Sequence, residues 1–118
     1  MDLPLFEKSA AALTPYWGEC FAIGRETAAL APEPTARSAH GIRIETDALL
    51  GDVLDAHWDA IILPGGGEGT ANLMACEPLA ERLRSQKESG GLVCAICAAP
   101  TVLAAAGVID GEDVTCYP

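Results

Sequence analysis

The sequence predicts an α/β fold in which a mainly parallel β-sheet lies between layers of helices. The short, continuous apolar run at residues 59–63 is typical of a parallel strand that is covered on both faces, and a second apolar run, residues 92–96, predicts another strand. Residues 77–90, between these runs, carry the signals of a helix that begins near a proline and ends at a glycine. Strand, helix and strand in this order predict a βαβ unit.

The first apolar run is expected to be a central strand of the sheet. It is cut off by Pro64 and three glycines, which end a strand abruptly because proline and glycine favour turns. A polar turn is expected after the glycines, before the next helix begins.

The helix at residues 77–90 is supported by the chemistry of its positions. Pro78 suits the first turn, where its missing N–H costs nothing. Leu79 and Leu83 share one face, and Arg84 and Glu88 have the spacing of an exposed i,i+4 ion pair. We therefore expect about three helical turns with one apolar face.

The remaining elements are read from shorter patterns. Residues 31–35 contain two prolines and are expected to connect elements, and residues 42–44 alternate apolar and charged side chains as a half-buried strand does. Residues 100–107 predict an alanine-rich helix that ends at a glycine. A tight turn at residues 110–111 then leads into a predicted short strand at 114–117.

Length and charge limit the class of protein. A chain of 118 residues forms at most one domain, here residues 1–118. Its formal net charge of −10 argues against nucleic acid as a partner. The first residues lack the pattern of a signal peptide, and no apolar run has the length of a membrane span. We expect a soluble cytoplasmic protein that does not bind membranes.

The sharpest functional signal is Cys97, which stands between the second apolar run and a helix. A nucleophile in such a turn points into the crevice at the carboxyl end of the sheet. The start of the following helix favours a thiolate there, and the Ala98 amide could donate a hydrogen bond to an oxyanion. A cysteine at a strand end is often only a small buried apolar residue, so both interpretations stand at this point.

The glycine run after residue 63 is the second candidate. Glycines at the end of a strand allow backbone N–H groups to approach a ligand oxygen. No Lys-Ser or Lys-Thr follows the run, and it is not expected to lead directly into a helix, so phosphate-loop and dinucleotide-binding patterns are disfavoured. Gly65 and Gly66 could instead form a small oxyanion site, or the run could be only a turn.

Other reactive residue types carry less weight. The chain has five cysteines, an odd number that disfavours a full disulfide framework. Cys94 and Cys97 have CxxC spacing, but Cys94 lies within the apolar run, whereas redox pairs begin a helix. His40 and His57 are far from the cysteines in sequence, so no metal site is expected.

Several segments together resemble the ThiJ/PfpI superfamily, which includes deglycases and intracellular protease-like proteins. The resemblance runs from about His40 to the end of the chain. It is carried by Asp-Ala-Ile-Ile-Leu-Pro-Gly-Gly at 59–66, Gly-Gly-Leu at 90–92, Ala-Ile-Cys-Ala-Ala-Pro at 95–100 and Val-Thr-Cys-Tyr-Pro at 114–118.

The resemblance implies a flavodoxin-like three-layer sandwich, usually a homodimer, with a reactive cysteine at the position of Cys97. It also implies that Gly65, Gly66 and Ala98 line an anion site. Tyr117 falls where some members have an active-site histidine and others an aromatic residue. No cofactor is expected.

The chain departs from the family pattern at both ends. Ala11 occupies the position of a family glutamate that hydrogen-bonds the cysteine, and Glu7 is the nearest acid. Residues 1–6 are short and interrupted by a proline, unlike the central strand with which family members begin. Members also continue beyond the position of Pro118, so the domain is expected to be incomplete at both ends.

Three hypotheses follow for function. In the first, Cys97 attacks a small reactive carbonyl such as methylglyoxal, in a glyoxalase or deglycase type of reaction without a cofactor. In the second, Cys97 is oxidised and the protein acts as an oxidative-stress sensor or chaperone-like protein. In the third, the chain is an inactive fragment, because residues for proton transfer are missing.

Overall fold

The computed structural model describes residues 27–30, 32–38 and 40–118. In chain order these ranges form β1 (Ala28–Ala29), β2 (Thr35–Arg37), β3 (Arg43–Glu45), β4 (Ala48–Leu49), α1 (Leu50–Val53), β5 (Ala60–Leu63), α2 (Gly67–Met74), α3 (Glu77–Glu88), β6 (Leu92–Ala95) and α4 (Pro100–Ala106). The expectations for residues 1–6, Glu7 and Ala11 lie outside the described residues.

The predicted βαβ unit is present. Strands β5 and β6 are parallel and in register from Ala60 opposite Leu92 to Leu63 opposite Ala95, and helices α2 and α3 connect them. Strands β1 and β4 form a second parallel pair, and β2 and β3 form an antiparallel pair. Within the described ranges, β5 pairs with β6 alone.

The core lies on one face of the β5–β6 pair, under α3 and α4. Ile61 and Leu63 point to this face and are almost fully buried, because alternate residues of a strand share a face. Helix α3 contributes Leu79 and Leu83, as the helix pattern predicts, and Leu83 has no exposed surface. Helix α4 contributes Val102, Leu103 and Ala106. These contacts fix the start of α4 against the end of β6.

One buried polar side chain joins α3 to both strands. Gln86 is 1% exposed, and its Nε2 donates to the carbonyl oxygen of Trp58 at 2.8 Å and to that of Leu92 at 3.3 Å. A Cβ on Gly91 would lie 2.6 Å from Cδ of Gln86. Glycine at position 91 therefore leaves the space that the Gln86 amide occupies.

Three local predictions were wrong. The expected polar turn after the glycines is helix α2, which begins at Gly67, so the glycine run does lead directly into a helix. Residues 114–117 form no strand, because only the N–H of Tyr117 makes a main-chain hydrogen bond there. Arg84 pairs with Glu77, at 2.6 Å, and not with Glu88.

Candidate functional site

Cys97 occupies a sharp turn between β6 and α4. Its φ of 62° is the one left-handed conformation among the described non-glycine residues. A non-glycine residue in this region stores roughly 1–3 kcal/mol of strain, which persists only where the surrounding structure determines it. Helix α4 begins three residues later, at Pro100. The strand, sharp turn and helix expected around the cysteine therefore form.

The glycine run lies directly against this turn. A Cβ on Gly65 would be 2.6 Å from Cβ of Cys97 and 3.4 Å from its Sγ. The parallel pairing of β5 and β6 explains the contact, because it brings the ends of both strands to one edge of the sheet. Gly65 therefore has no space for a side chain. Gly66 follows with φ 101°, where a side chain would be strained, and forms the N-cap of α2.

Several amide groups at this edge have no internal acceptor. The N–H groups of Gly65, Gly66 and Ala98 make no hydrogen bond to a main-chain or side-chain acceptor in the part of the chain that the structure describes. The Ala98 carbonyl oxygen, by contrast, accepts from the Thr101 hydroxyl at 2.6 Å and from the Thr101 N–H at 3.2 Å. Unsatisfied N–H groups that converge on one edge can hold an anionic oxygen.

The segment that contains Tyr117 is tied to the turn by its main chain. The Tyr117 N–H donates to the carbonyl oxygen of Cys97 at 2.8 Å. The Tyr117 side chain is 68% exposed. The sequence analysis singled out Tyr117 for its aromatic ring, whereas its hydrogen bond to Cys97 comes from its main-chain N–H.

The other cysteines and the histidines have different surroundings. Cys97, Cys94 and Cys116 are free and exposed, and Cys76 is half-buried. Desolvation raises the pKa of the Cys94 thiol above its ordinary value. Nε2 of His57 lies 3.7 Å from Oδ1 of Asp59, at the start of β5 and far along the strand from the turn. Within the described ranges, no three His, Cys, Asp or Glu residues are grouped to hold a metal ion.

A separate cleft of about 690 Å³ lies between β1 and β5. Its lining is mainly apolar, with Arg37 and Arg82 as its charged residues, and Gly65 stands at its rim. Cys97 is not part of the lining. The cysteine is exposed at the edge of the sheet and does not lie inside this cleft.

Helix α2 is the part of the site that the sequence pattern missed. Its first residues follow Gly66 with no side-chain cap, so further N–H groups are exposed beside Gly65. The signal was present in Thr70 and Leu73, which have helical spacing and lie after the glycines. Residues 66–74 contain three glycines and a threonine, which lowered the helical propensity of this segment and hid the pattern.

The comparisons with known proteins agree with this architecture. The DJ-1/PfpI family model matches residues 22–118, so the chain belongs to the DJ-1/PfpI family. The resemblance inferred from sequence is thereby confirmed, and the fold is the flavodoxin-like fold of this family.

Particular relatives make the similarity more specific. The chain is 47% identical over 81 residues to the glutathione-independent glyoxalase DJR-1.2 of Caenorhabditis elegans. The aligned region covers 69% of this chain and 42% of that protein. It is 40% identical over 82 residues to protein DJ-1 homolog B of Arabidopsis thaliana, across 69% of this chain and 19% of that protein.

Solved structures give the same result. Oxidised DJ-1 of Toxoplasma gondii matches with a TM-score of 0.76 and 31% identity, over 79% of this chain and 51% of its own. DJ-1beta of Drosophila melanogaster matches with a TM-score of 0.69 and 36% identity, over 73% and 46%. The chain thus spans about half the length of these structures.

Within the part of the chain that the structure describes, no helix is long and apolar enough to cross a membrane.

Proposed function

We propose that the chain carries a cysteine-dependent glyoxalase type of site for small reactive dicarbonyls, which uses no cofactor. The observation that supports this most is the position of Cys97, whose sulfur is exposed on a strained turn in contact with Gly65. The name of the Caenorhabditis elegans relative, a glutathione-independent glyoxalase, supports the same class of reaction.

In the proposed reaction, the Cys97 thiolate attacks the aldehyde carbon of methylglyoxal. A carbon–sulfur bond forms, and the aldehyde oxygen becomes an oxyanion that the N–H groups of Gly65, Gly66 and Ala98 stabilise. Transfer of hydrogen from the former aldehyde carbon to the ketone carbon converts the adduct into a lactoyl thioester. Water then hydrolyses the thioester, releases lactate and restores the thiol.

The proposed reaction balances without an external oxidant. The aldehyde carbon is oxidised to the carboxylic acid level, the ketone carbon is reduced to an alcohol, and one water is consumed. The proton transfers need a general acid or base, which contributes about 10²- to 10⁴-fold in typical enzymes. The sequence position of the family glutamate, Ala11, lies outside the described residues. Because alanine stands in place of this glutamate, turnover is expected to be slow relative to an enzyme that has the glutamate.

Lactate formation from methylglyoxal by the purified protein tests the proposal. Cys97→Ser is expected to lower the rate by at least about 100-fold, because a hydroxyl is a far weaker nucleophile than a thiolate. Cys94→Ser is the matched control, since Cys94 is also exposed and lies three residues earlier on β6. Equal rates for the unsubstituted protein and Cys97→Ser would exclude the proposed reaction.

A second candidate is oxidant sensing through Cys97, favoured by the exposure of its sulfur. Stepwise oxidation to sulfinic acid would add two oxygens to this residue. Peptide mass mapping after mild peroxide is expected to find this addition at Cys97 before Cys94. Oxidation at Cys94 and Cys116 with Cys97 unmodified would exclude this role.

Assembly as a homodimer remains a further prediction, which sedimentation of the purified protein measures.

A further inference from the structure

We propose that the main-chain N–H of Tyr117 is a positioning group that sets the direction of the Ala98 N–H. The proposal rests on the proposed function for the role of Ala98 as an oxyanion donor. Its structural basis is the hydrogen bond of 2.8 Å between the Tyr117 N–H and the Cys97 carbonyl oxygen.

The peptide unit between Cys97 and Ala98 connects the two groups. This planar unit carries the carbonyl oxygen of Cys97 and the N–H of Ala98, and in a trans peptide the two point in opposite directions. Fixing the oxygen therefore fixes the N–H. The Tyr117 N–H binds the oxygen on one side, which leaves the Ala98 N–H directed away from Tyr117.

The turn needs such a restraint. Cys97 is held at φ 62°, a conformation that non-glycine residues rarely adopt. Rotation of the 97–98 peptide unit changes ψ of Cys97 and φ of Ala98, leaves this φ unchanged, and would turn the Ala98 N–H away from its present direction. Contact with Gly65 restrains the Cys97 side chain, but it does not hold the carbonyl oxygen. The hydrogen bond from Tyr117 supplies the missing restraint.

The segment around Tyr117 makes little other use of its main chain. Among residues 113–118, the Tyr117 N–H is the one main-chain donor with a main-chain acceptor in the ranges described. The side chains of this segment are exposed. The one hydrogen bond from this segment to the rest of the described structure therefore ends on the peptide unit of the elbow.

Removal of this N–H is the test. Tyr117→Pro deletes the donor, whereas Tyr117→Ala keeps it and deletes only the ring. For methylglyoxal, Tyr117→Pro is expected to lower kcat by roughly 10- to 100-fold with little change in KM, because loss of one oxyanion donor costs up to about 10³-fold in kcat. Tyr117→Ala keeps the N–H, so its kcat is expected to stay at least about fivefold above that of Tyr117→Pro, because the Ala98 donor remains in place.

Alkylation of Cys97 by iodoacetamide separates positioning from collapse of the turn. This displacement reaction forms no oxyanion, so its rate is expected to stay within about twofold in Tyr117→Pro if only the amide direction changes. A merely structural role predicts a parallel loss in alkylation and turnover. Equal kcat in Tyr117→Pro and the unsubstituted protein would overturn the proposal.

A readout independent of turnover keeps the inference testable if the glyoxalase proposal fails. The ¹⁵N and ¹H resonances of the Ala98 amide are expected to shift in Tyr117→Pro and to stay in place in Tyr117→Ala. An ester in place of the 116–117 amide, introduced by ligation at Cys116, removes the N–H without a proline ring and is expected to give the same shift. An unchanged Ala98 amide in both donor-deleted forms would contradict the proposal.

Discussion

Gly65 and Cys97 approach so closely that a side chain at position 65 has no space: a Cβ there would lie 2.6 Å from Cβ of Cys97. Each residue lies two positions after the end of its strand, β5 or β6, whose register brings Leu63 opposite Ala95. The contact therefore follows from strand pairing, and it makes glycine at position 65 a requirement of the turn that presents the Cys97 sulfur.

Substitution of Gly65 by alanine is expected to distort the turn. The added methyl group must displace Cys97, and overpacking of this kind costs about 1–3 kcal/mol in free energy of unfolding. Denaturant unfolding measures the loss, and the rate of iodoacetamide alkylation of Cys97 reports the displaced sulfur. Gly67→Ala is the matched control, because a Cβ there meets no atom within 4 Å. Equal stability of the two variants would show that the turn accommodates a side chain.

Replacement of Gln86 by methionine is expected to weaken the attachment of α3 to the strands. Methionine fills a similar volume but donates no hydrogen bond to the carbonyl oxygens of Trp58 and Leu92. Leaving the buried Trp58 carbonyl oxygen without this donor costs about 1–3 kcal/mol, measured as the free energy of unfolding in urea. Ser85→Ala, at the neighbouring exposed position, is expected to change stability by less than about 0.5 kcal/mol. A neutral Gln86→Met would show that other donors replace the amide.

The chemistry of Cys94 is expected to depend on pH differently in the folded and unfolded chain. Desolvation raises the pKa of its thiol above the ordinary value of 9.0 in the folded protein. Alkylation of Cys94, followed by peptide mass mapping in the Cys97→Ser background, is therefore expected to accelerate at higher pH in buffer than in urea. Identical pH profiles in the two solvents would contradict this cause.

The same shift makes a prediction about stability. Because the folded state keeps the Cys94 proton to higher pH, the unfolded state loses its proton first as the pH rises. The contribution of the Cys94 thiol to the free energy of unfolding is then fully present below pH 9.0 and is lost as the pH rises through the folded pKa. Cys94→Ser is expected to reduce this fall, as measured by urea unfolding in a series of alkaline buffers. An undiminished fall in the variant would assign the effect to other groups.

Local pattern predicted the parts of the fold that depend on near neighbours in sequence. The apolar runs became β5 and β6, and Leu79 and Leu83 became core residues. These predictions succeed because burial imposes a regular period on a helix or a strand. The identity of Cys97 as the residue of the turn follows from the same reasoning.

Contacts between distant segments were beyond this reasoning. The approach of Gly65 to Cys97 depends on strand register, and the hydrogen bond from Tyr117 to Cys97 depends on the path of residues 112–118. Neither is encoded in a local period. The pairing of Arg84 with Glu77 was missed because three acids, Glu77, Glu81 and Glu88, lie on reachable turns of one helix. The observed choice puts the acid towards the helix N-terminus, the orientation that the helix dipole favours.

We propose that Cys97, and no other cysteine, performs the chemistry of the site. The most direct measurement is kcat/KM for conversion of methylglyoxal to lactate by Cys97→Ser and Cys94→Ser, compared with the unsubstituted protein. We expect loss of at least about 100-fold in Cys97→Ser and near-full activity in Cys94→Ser, because the first variant alone removes the nucleophile. Equal kcat/KM for Cys97→Ser and the unsubstituted protein, or loss of activity in Cys94→Ser alone, would contradict it.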